Sequence, residues 1–434
     1  MPDMLAAIAL PGCKSSSQRA LMLAALAAGE SQIEGLSDCQ DSLDLLAALQ
    51  VFGVETRPLG TAPGRLAVRG RAPRELSARA AGETGLPVGE GASTLRFLLA
   101  LSAASQGTVT LRPAPALAAR PHRELVEILR SFGAVIEIGQ DASGPFFRVR
   151  GNGGFGPRQV ELGALKTSQT LSALWLAAGD APMTWRLREA SSSAGYLALT
   201  AIMLRQARGA EALIEREAGR CWDQGAGFGK EARLRVLADP SAVIFFAVAA
   251  LLLQRPVLLA SAWNPHHADA ALLDRLRADE WIGWSEDARG VTISPGPSAG
   301  RRELTLDLDQ APDSGPALAV LAAHLPAGGR FTGLDRLRIK ESDRVQAMMR
   351  LAAACGATVA TESEGLVIRP GSRAAALGQP VAPCAACVAT EGDHRTAMAT
   401  GIASLLHPGL EPDDRDCVAK SFPRFWDALA ALPT

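Results

Sequence analysis

Lysines, arginines, hydroxyls and a few carboxylates recur at one kind of place in this 434-residue chain, the residues that open apolar, helix-like stretches. Lys14, Ser15 and Arg19 open the first such stretch and Arg96 belongs to the second; Thr167, Ser168 and Gln169 open the third, Asp313 the fifth, and His394 with Arg395 the sixth. Loops leading into the intervening helices carry Arg120, Ser193 with Tyr196 (the only Tyr), the run Lys340-Glu341-Ser342-Asp343-Arg344, and Lys420. A helix start presents unpaired N–H groups and a partial positive charge, so starts that converge make an anion site. Hydroxyls bind phosphate without adding charge, and Arg grips carboxylate or phosphate with two prongs. Singly, each residue has a plainer reading, Ser and Asp as helix caps and Lys and Arg as solvated charges. Their recurrence in phase favours a cleft for a substrate or substrate pair rich in phosphate and carboxylate.

The positioning elements repeat. An apolar, helix-like stretch runs through a glycine into a strand-like segment at Ala47 to Thr56, Glu127 to Ile138, Ile202 to Glu215, Leu272 to Ser285 and Met348 to Glu362. The glycines, Gly53, Gly133, Gly209, Gly283 and Gly356, are 73 to 80 residues apart and suit a left-handed helix end. A second series of apolar helices starts at Ser15, Ser93, Ser168, Ser241, Ser314 and Asp393, in phase with the first. Two interleaved series predict six copies of a small α/β unit, three to a domain, with a helix that simply stops at Phe425 to Leu429. The halves are expected to divide between Arg233 and Pro240, where Asp239-Pro240 favours a turn.

Composition excludes several classes. With 44 Lys+Arg against 45 Asp+Glu, the net charge is −1, and no basic block favours nucleic acid. The longest wholly apolar run, Ala242 to Leu253, has 12 residues, short of the roughly 20 of a membrane helix. Leu5 to Leu10 is too short for a secretory signal, and seven Cys without a framework of spacings suit a reducing cytoplasm without disulfides. A cytoplasmic monomer without membrane or nucleic-acid partners is expected.

Several motifs together resemble those of the enolpyruvyl transferases: Pro11-Gly12-Cys13-Lys14-Ser15-Ser16-Ser17-Gln18-Arg19-Ala20, Arg120-Pro121, Thr167-Ser168-Gln169-Thr170-Leu171-Ser172-Ala173, Pro312-Asp313, Ile339-Lys340-Glu341-Ser342-Asp343-Arg344, Gly392-Asp393-His394-Arg395 and Ala419-Lys420-Ser421-Phe422-Pro423. They occur in family order over almost the whole chain. The resemblance implies an inside-out α/β barrel of two similar domains, each of three βαβαββ units. The lobes would span residues 13–237 and residues 1–12 with 238–434, with the active site in the cleft between them. It implies transfer of the enolpyruvyl group of phosphoenolpyruvate to the 5-hydroxyl of shikimate 3-phosphate, with no metal or organic cofactor. Lys14, Ser15, Arg19, Thr167, Ser168, Gln169, Ser193, Tyr196, Asp313, Arg336 and Lys340 would hold the acceptor. Lys14, Ala92, Arg96, Arg120, Gln169, Arg344, Arg395 and Lys420 would surround phosphoenolpyruvate. Lys14, Asp313, Glu341 and His394 would be catalytic, Asp313 as base near the acceptor hydroxyl and Glu341 or Lys14 serving C3.

The chain departs from the family pattern at Gly89-Glu90-Gly91-Ala92-Ser93, where the family has Gly-Asn-Ala-Gly-Thr. Glu90 puts a carboxylate beside an anion pocket, and Ala92 adds a methyl where backbone approaches the ligand; weak inhibition by glyphosate is expected. Arg336 replaces a common Asn, Thr167 a Ser, and Cys13 the Ser of Pro-Gly-Ser-Lys. These leave a different hydroxyl acceptor as the alternative, and a noncatalytic anion-binding protein as a further one. The branch that acts on UDP-N-acetylglucosamine uses a loop Cys, which Leu111 to Ala119 lacks.

Other signals lead nowhere. Gly151-Asn152-Gly153-Gly154-Phe155-Gly156 matches a dinucleotide fingerprint, but Pro157 and a strand-like segment follow where a helix is needed. Gly12-Cys13-Lys14-Ser15 lacks the Gly-Lys step of a nucleotide-binding loop. Cys384-Ala385-Ala386-Cys387 has no second pair, so ordinary thiols are expected. His266-His267 reads as a polar helix entry; Phe245-Phe246, Trp281 and Trp284 read as packing.

Overall fold

The structure is a computed structural model describing residues 6–77, 85–163, 165, 167–179, 181–189, 194–217, 219–225, 231–362, 365–372, 374–383 and 385–432. The chain divides into two compact units, Gly12–Val236, and Leu237–Thr434 with the amino-terminal segment through Pro11.

In the unit of Gly12–Val236, three four-stranded sheets repeat one topology. The first orders Arg233–Arg235, Gly29–Glu34, Leu66–Gly70 and Glu55–Pro58; the second Leu86–Gly89, Gln106–Pro113, Gly144–Asn152 and Val135–Asp141; the third Arg158–Leu162, Met183–Leu187, Cys221–Gln224 and Leu213–Glu217. In each the first pair is parallel and the other two are antiparallel. A parallel pair needs a crossover, and a helix supplies it in the second and third sheets, α3 (Ala92–Ala104) and α6 (Ser168–Ala177); in the first, α1 (Lys14–Ala25) leads into Gly29–Glu34, whose parallel partner Arg233–Arg235 comes from the far end of the unit. The antiparallel hairpins follow α2 (Gln40–Val51), then α5 (Arg123–Ser131) beyond the single turn α4 (Pro115–Ala118), then α7 (Ala194–Arg208).

The other unit builds the same pattern with variations. Strands Leu304–Asp307, Gly329–Thr332, Gly365–Arg369 and Thr358–Glu362 form a complete module around α10 (Gly315–His324) and α11 (Arg344–Ala354). Val257–Leu259, Gly290–Pro295 and Ile282–Asp287 form a three-stranded sheet with α8 (Pro240–Leu253) and α9 (Ala268–Ala278). Ile8 takes the place of a fourth strand, its N–H and C=O bonded to Leu258 and Ala260 at 2.8 Å each. The last module, among the described residues, pairs Ala386–Val388 with Leu410–Pro412 around α12 (His394–Ala403) and ends in α13 (Phe425–Ala430).

Burial separates the two helix series. The apolar helices α1, α3 and α6 pack on one another in one unit, as do α8, α10 and α12 in the other, and almost all of their residues are buried. A helix apolar on every side must be surrounded, and α8 is: Ala242 to Leu252 are all at most 2% exposed. The sheets and the helices of the other series, α2, α5, α7, α9 and α11, cover these cores, so each unit has its apolar helices inside. Phe245 and Phe246 are core, and the glycine-rich run at 151–156 ends one strand and loops to the next.

Gly53, Gly133, Gly209 and Gly356 adopt φ of 91°, 97°, 98° and 79° after their helices, as a left-handed end requires. Gly283 corrects the expectation: it lies within Ile282–Asp287, and Glu280, with φ 58°, makes the turn after α9. That helix ends three residues earlier than the glycine spacing implies, and Trp281 N–H closes onto Leu276 O at 2.8 Å.

Candidate functional site

In the unit of Gly12–Val236, the opening of α1 is fixed by backbone crowding. A β-carbon on Gly12 would stand 2.0 Å from Gly35 O, so only glycine lets the chain turn into Lys14 here. Lys14 Nζ lies 3.0 Å from Asp41 Oδ2 at the start of α2. Gln18 Nε2 donates to Thr94 Oγ1 at 2.8 Å and to Asp41 O at 3.2 Å, and Thr94 Oγ1 donates to Asp41 O at 3.1 Å. These bonds tie the starts of α1, α2 and α3 together. α1 opens on Cys13 and α3 on Gly91, and neither cap residue gives its helix start a side-chain hydrogen bond.

Arg96, buried one turn into α3, donates to Gln169 Oε1 on α6 and to Pro121 O at 3.2 Å. Burial, then the neighbouring Arg120, pulls its guanidinium down to about 10. Thr167 caps α6 by accepting from Gln169 N at 3.3 Å, and Ser168 is buried beside it. Ala92 is the first residue of α3 and is partly exposed, with the exposed Glu90 just before it.

Arg19 is placed differently from its neighbours. It is 2% exposed and donates to Thr200 Oγ1 at 2.7 Å, Ser15 O at 2.8 Å, Ser172 Oγ at 3.4 Å and Tyr196 O at 3.4 Å. Burial lowers it to about 10. In this geometry it holds the backbones of Ser15 and Tyr196. Ser193 lies outside the described residues.

In the other unit the site residues form one network around Arg344. Its side chain is 1% exposed and spans three carboxylates: Nη1 to Asp313 at 2.6 Å, Nη2 to Glu341 at 2.9 Å, and Nε to Asp393 at 2.8 Å. Burial alone would lower the guanidinium, but Asp393, Asp313 and Glu341 hold it well above its ordinary range. Asp313 also takes Lys340 Nζ at 3.1 Å and has Arg395 Nη2 at 3.6 Å, and Lys420 Nζ stands 3.8 Å from Glu341. Burial pushes the Lys340 ammonium down against the pull of Asp313.

Asp393 caps α12 by accepting from Arg395 N at 2.8 Å while its other oxygen takes Ser342 Oγ at 3.0 Å. His394 is buried, its Nδ1 3.9 Å from Asp393. Arg395, 2% exposed, keeps its Nε without a hydrogen-bond partner and lies over the Phe245 ring at 5.9 Å. Burial would lower its pKa, yet Asp313 and Asp239 raise it. Arg336 sits on the turn Asp335–Ile339, donating to Asp309 O, and its charge disfavours that of Lys340.

Sequence reasoning missed Asp41 as the partner of Lys14 and Asp393 as the organiser of Arg344 and Arg395. Both open helices, where an Asp reads as a cap, and Asp393 is one. It also missed a buried carboxyl on α9: Asp269, fully enclosed, accepts from Ser241 Oγ, while its backbone N–H donates to His267 Nδ1 at 3.2 Å. His267 thus caps α9, as its polar-entry reading implies. Trp284 stacks under Arg277 at 4.1 Å, and Trp281 is buried. Cys384 lies outside the described residues and Cys387 is exposed. No helix among the described residues is long and apolar enough to cross a membrane.

The chain matches the family model described as EPSP synthase (3-phosphoshikimate 1-carboxyvinyltransferase) over residues 2–429. It is 33% identical over 442 residues to a 3-phosphoshikimate 1-carboxyvinyltransferase of Syntrophobacter fumaroxidans, covering 98% of this chain and 97% of the relative. It is 32% identical over 429 residues to one of Methanoculleus marisnigri, covering 98% and 96%. Its fold is similar to an EPSP synthase of Acinetobacter baumannii, with a TM-score of 0.74 at 25% identity over 98% of this chain and 96% of that one. The enolpyruvyl transferase NikO of Streptomyces tendae shares the fold, with a TM-score of 0.72 at 16% identity over 98% and 94%. Motifs in family order, the repeated crossover module and full-length similarity agree, and the chain belongs to the EPSP synthase family.

Proposed function

We propose that this protein transfers the enolpyruvyl group of phosphoenolpyruvate to the 5-hydroxyl of shikimate 3-phosphate and releases phosphate. The observation that carries the reading is Arg344, which joins Asp313, Glu341 and Asp393 in one buried network edged by Lys340, Arg395 and Lys420. Such a network supplies carboxylates for two proton transfers and cations for a departing phosphate.

In this reading the acceptor oxygen bonds to C2 of phosphoenolpyruvate as its proton passes to Asp313, and C3 gains a proton. C3 then gives one back while the bond from C2 to the phosphate oxygen breaks. Glu341 and Lys14 serve C3, and each transfer requires a placed acid or base. Arg344, Arg395, Lys420 and His394 face the phosphate, where fixed positive charge stabilises the developing anion. Arg96, Arg120 and Gln169 hold phosphoenolpyruvate with them. Ser15, Thr167, Ser168, Ser193, Tyr196, Lys340 and Arg336 hold the acceptor, and Arg19 positions Ser15 and Tyr196. No metal or organic cofactor takes part, and the protein acts as a cytoplasmic monomer.

The test mixes purified protein with phosphoenolpyruvate and shikimate 3-phosphate and follows phosphate release and product mass. Equimolar phosphate and enolpyruvyl ether are expected. Turnover with another alcohol but none with shikimate 3-phosphate would assign a different acceptor.

A further inference from the structure

The helices that open on the catalytic network close on a second cluster. α10 ends at His324, Cys355 caps the end of α11, and His407 follows α12 by one turn, its N–H bonded to Ala403 O at 3.0 Å. Helix ends carry partial negative charge, so three ends meeting here favour a cation.

The side chains fit one. His324 Nδ1 lies 2.7 Å from Val320 O. A carbonyl only accepts, so Nδ1 carries the hydrogen and Nε2 presents its lone pair, the arrangement that a backbone carbonyl imposes on metal-bound imidazoles. His324 Nε2 faces His407 Nε2 at 2.8 Å, and a ring nitrogen of each histidine lies within 4.8 Å of the other and of Cys355 Sγ. Tetrahedral zinc, with bonds of about 2.0 to 2.1 Å to nitrogen and about 2.3 Å to sulfur, holds such atoms about 3.3 to 3.6 Å apart. Shifts of about an ångström would close the set. His324 and Cys355 are buried, whereas half-buried His407 opens the cluster to solvent, the source of a water as fourth ligand.

We propose that His324, Cys355 and His407 form a binding site for a borderline-soft d-block cation of the Zn2+ class, which braces the carboxy-terminal ends of α10, α11 and α12. Two imidazoles and a thiolate suit such an ion and not Mg2+ or Ca2+, which take oxygen ligands. On binding, Cys355 loses its thiol proton to solvent and His407 moves its ring proton from Nε2 to Nδ1, so one proton is released per ion.

The test uses the full chain stripped with a chelator and titrated with Zn2+ or Co2+. One ion per chain, one proton released at neutral pH, a thiolate-to-cobalt charge-transfer band and a melting temperature raised by several degrees are expected. His407→Gln, at a half-buried position, should weaken binding by about 10- to 100-fold or more, and Cys355→Ser should abolish the band. Cys387→Ser, at an exposed site, should leave both unchanged. Binding by His407→Gln equal to that of the unaltered chain, or no binding by the unaltered chain, would overturn the proposal, and neither result depends on Cys355→Ser folding.

Discussion

Lys14 Nζ stands 3.0 Å from Asp41 Oδ2, and the carboxylate is far more enclosed than the ammonium, 5% exposed against 17%. The more buried partner fixes where the more exposed one points. Lys14 therefore reaches any ligand as half of a pair, its position set from α2 although its chemistry belongs to α1.

Replacing Asp41 by Asn keeps the shape and removes the counter-charge. The expected result is a fall in kcat of about tenfold or more with a smaller change in KM, since a misplaced proton donor costs the chemical step more than binding. Steady-state kinetics in both substrates check this; an unchanged kcat would free Lys14 from Asp41.

Arg344→Lys keeps one positive charge but cannot span Asp313, Glu341 and Asp393 at once. kcat/KM should fall by about 100-fold, equivalent to about 2.7 kcal/mol of transition-state stabilisation. Arg344→Ala would leave buried carboxylates without their partner and destabilise the fold by about 3 to 5 kcal/mol. Kinetics on the first variant and chemical denaturation of the second separate the two roles.

His122 gives a pH prediction. It is buried, accepts no ready proton, and packs edge-on to Phe147, with its Nε2 2.8 Å from Leu117 O. Burial and then Arg96 lower it from 6.5 to about 4. A histidine depressed in the fold binds protons more readily when unfolded, so its contribution is present above pH 6.5 and is lost as pH falls towards 4. His122→Gln should flatten the loss of stability across that window, by on the order of 2 kcal/mol. Denaturant titrations at pH 7 and pH 4.5 measure it.

Ala92 opens α3 and Glu90 lies two residues before it, where the family pattern has smaller or neutral residues. Glyphosate should inhibit weakly, and Ala92→Gly should increase its potency by at least about tenfold, as removal of one obstructing carbon does in a tight pocket. Inhibition curves against phosphoenolpyruvate decide it; equal potency in both proteins would remove Ala92 from the pocket.

The fold was legible because its two helix series write different signals. A helix buried on every side reads as an unbroken apolar run, as in Ala242 to Leu252, whereas a covering helix shows one apolar face and, in most units, ends at a left-handed glycine. Gly283 misled because a non-glycine, Glu280, took the left-handed turn. The candidate site was legible as a set of residue types at helix starts. Its pairings were not, because Lys14 with Asp41 and Arg19 with Thr200 join residues 27 and 181 positions apart. Periodicity says which face a residue takes, and only folding says which other face it meets.

The bonds of Ile8 to Leu258 and Ala260 carry a consequence for synthesis. Ile8 leaves the ribosome before Gly12–Val236, yet it is stitched into a sheet whose other strands emerge after residue 256, so it must wait while Gly12–Val236 assembles without it. A carboxy-terminal fragment starting at Leu237 would lack that edge, and supplying residues 6–11 as a separate peptide should help it to fold.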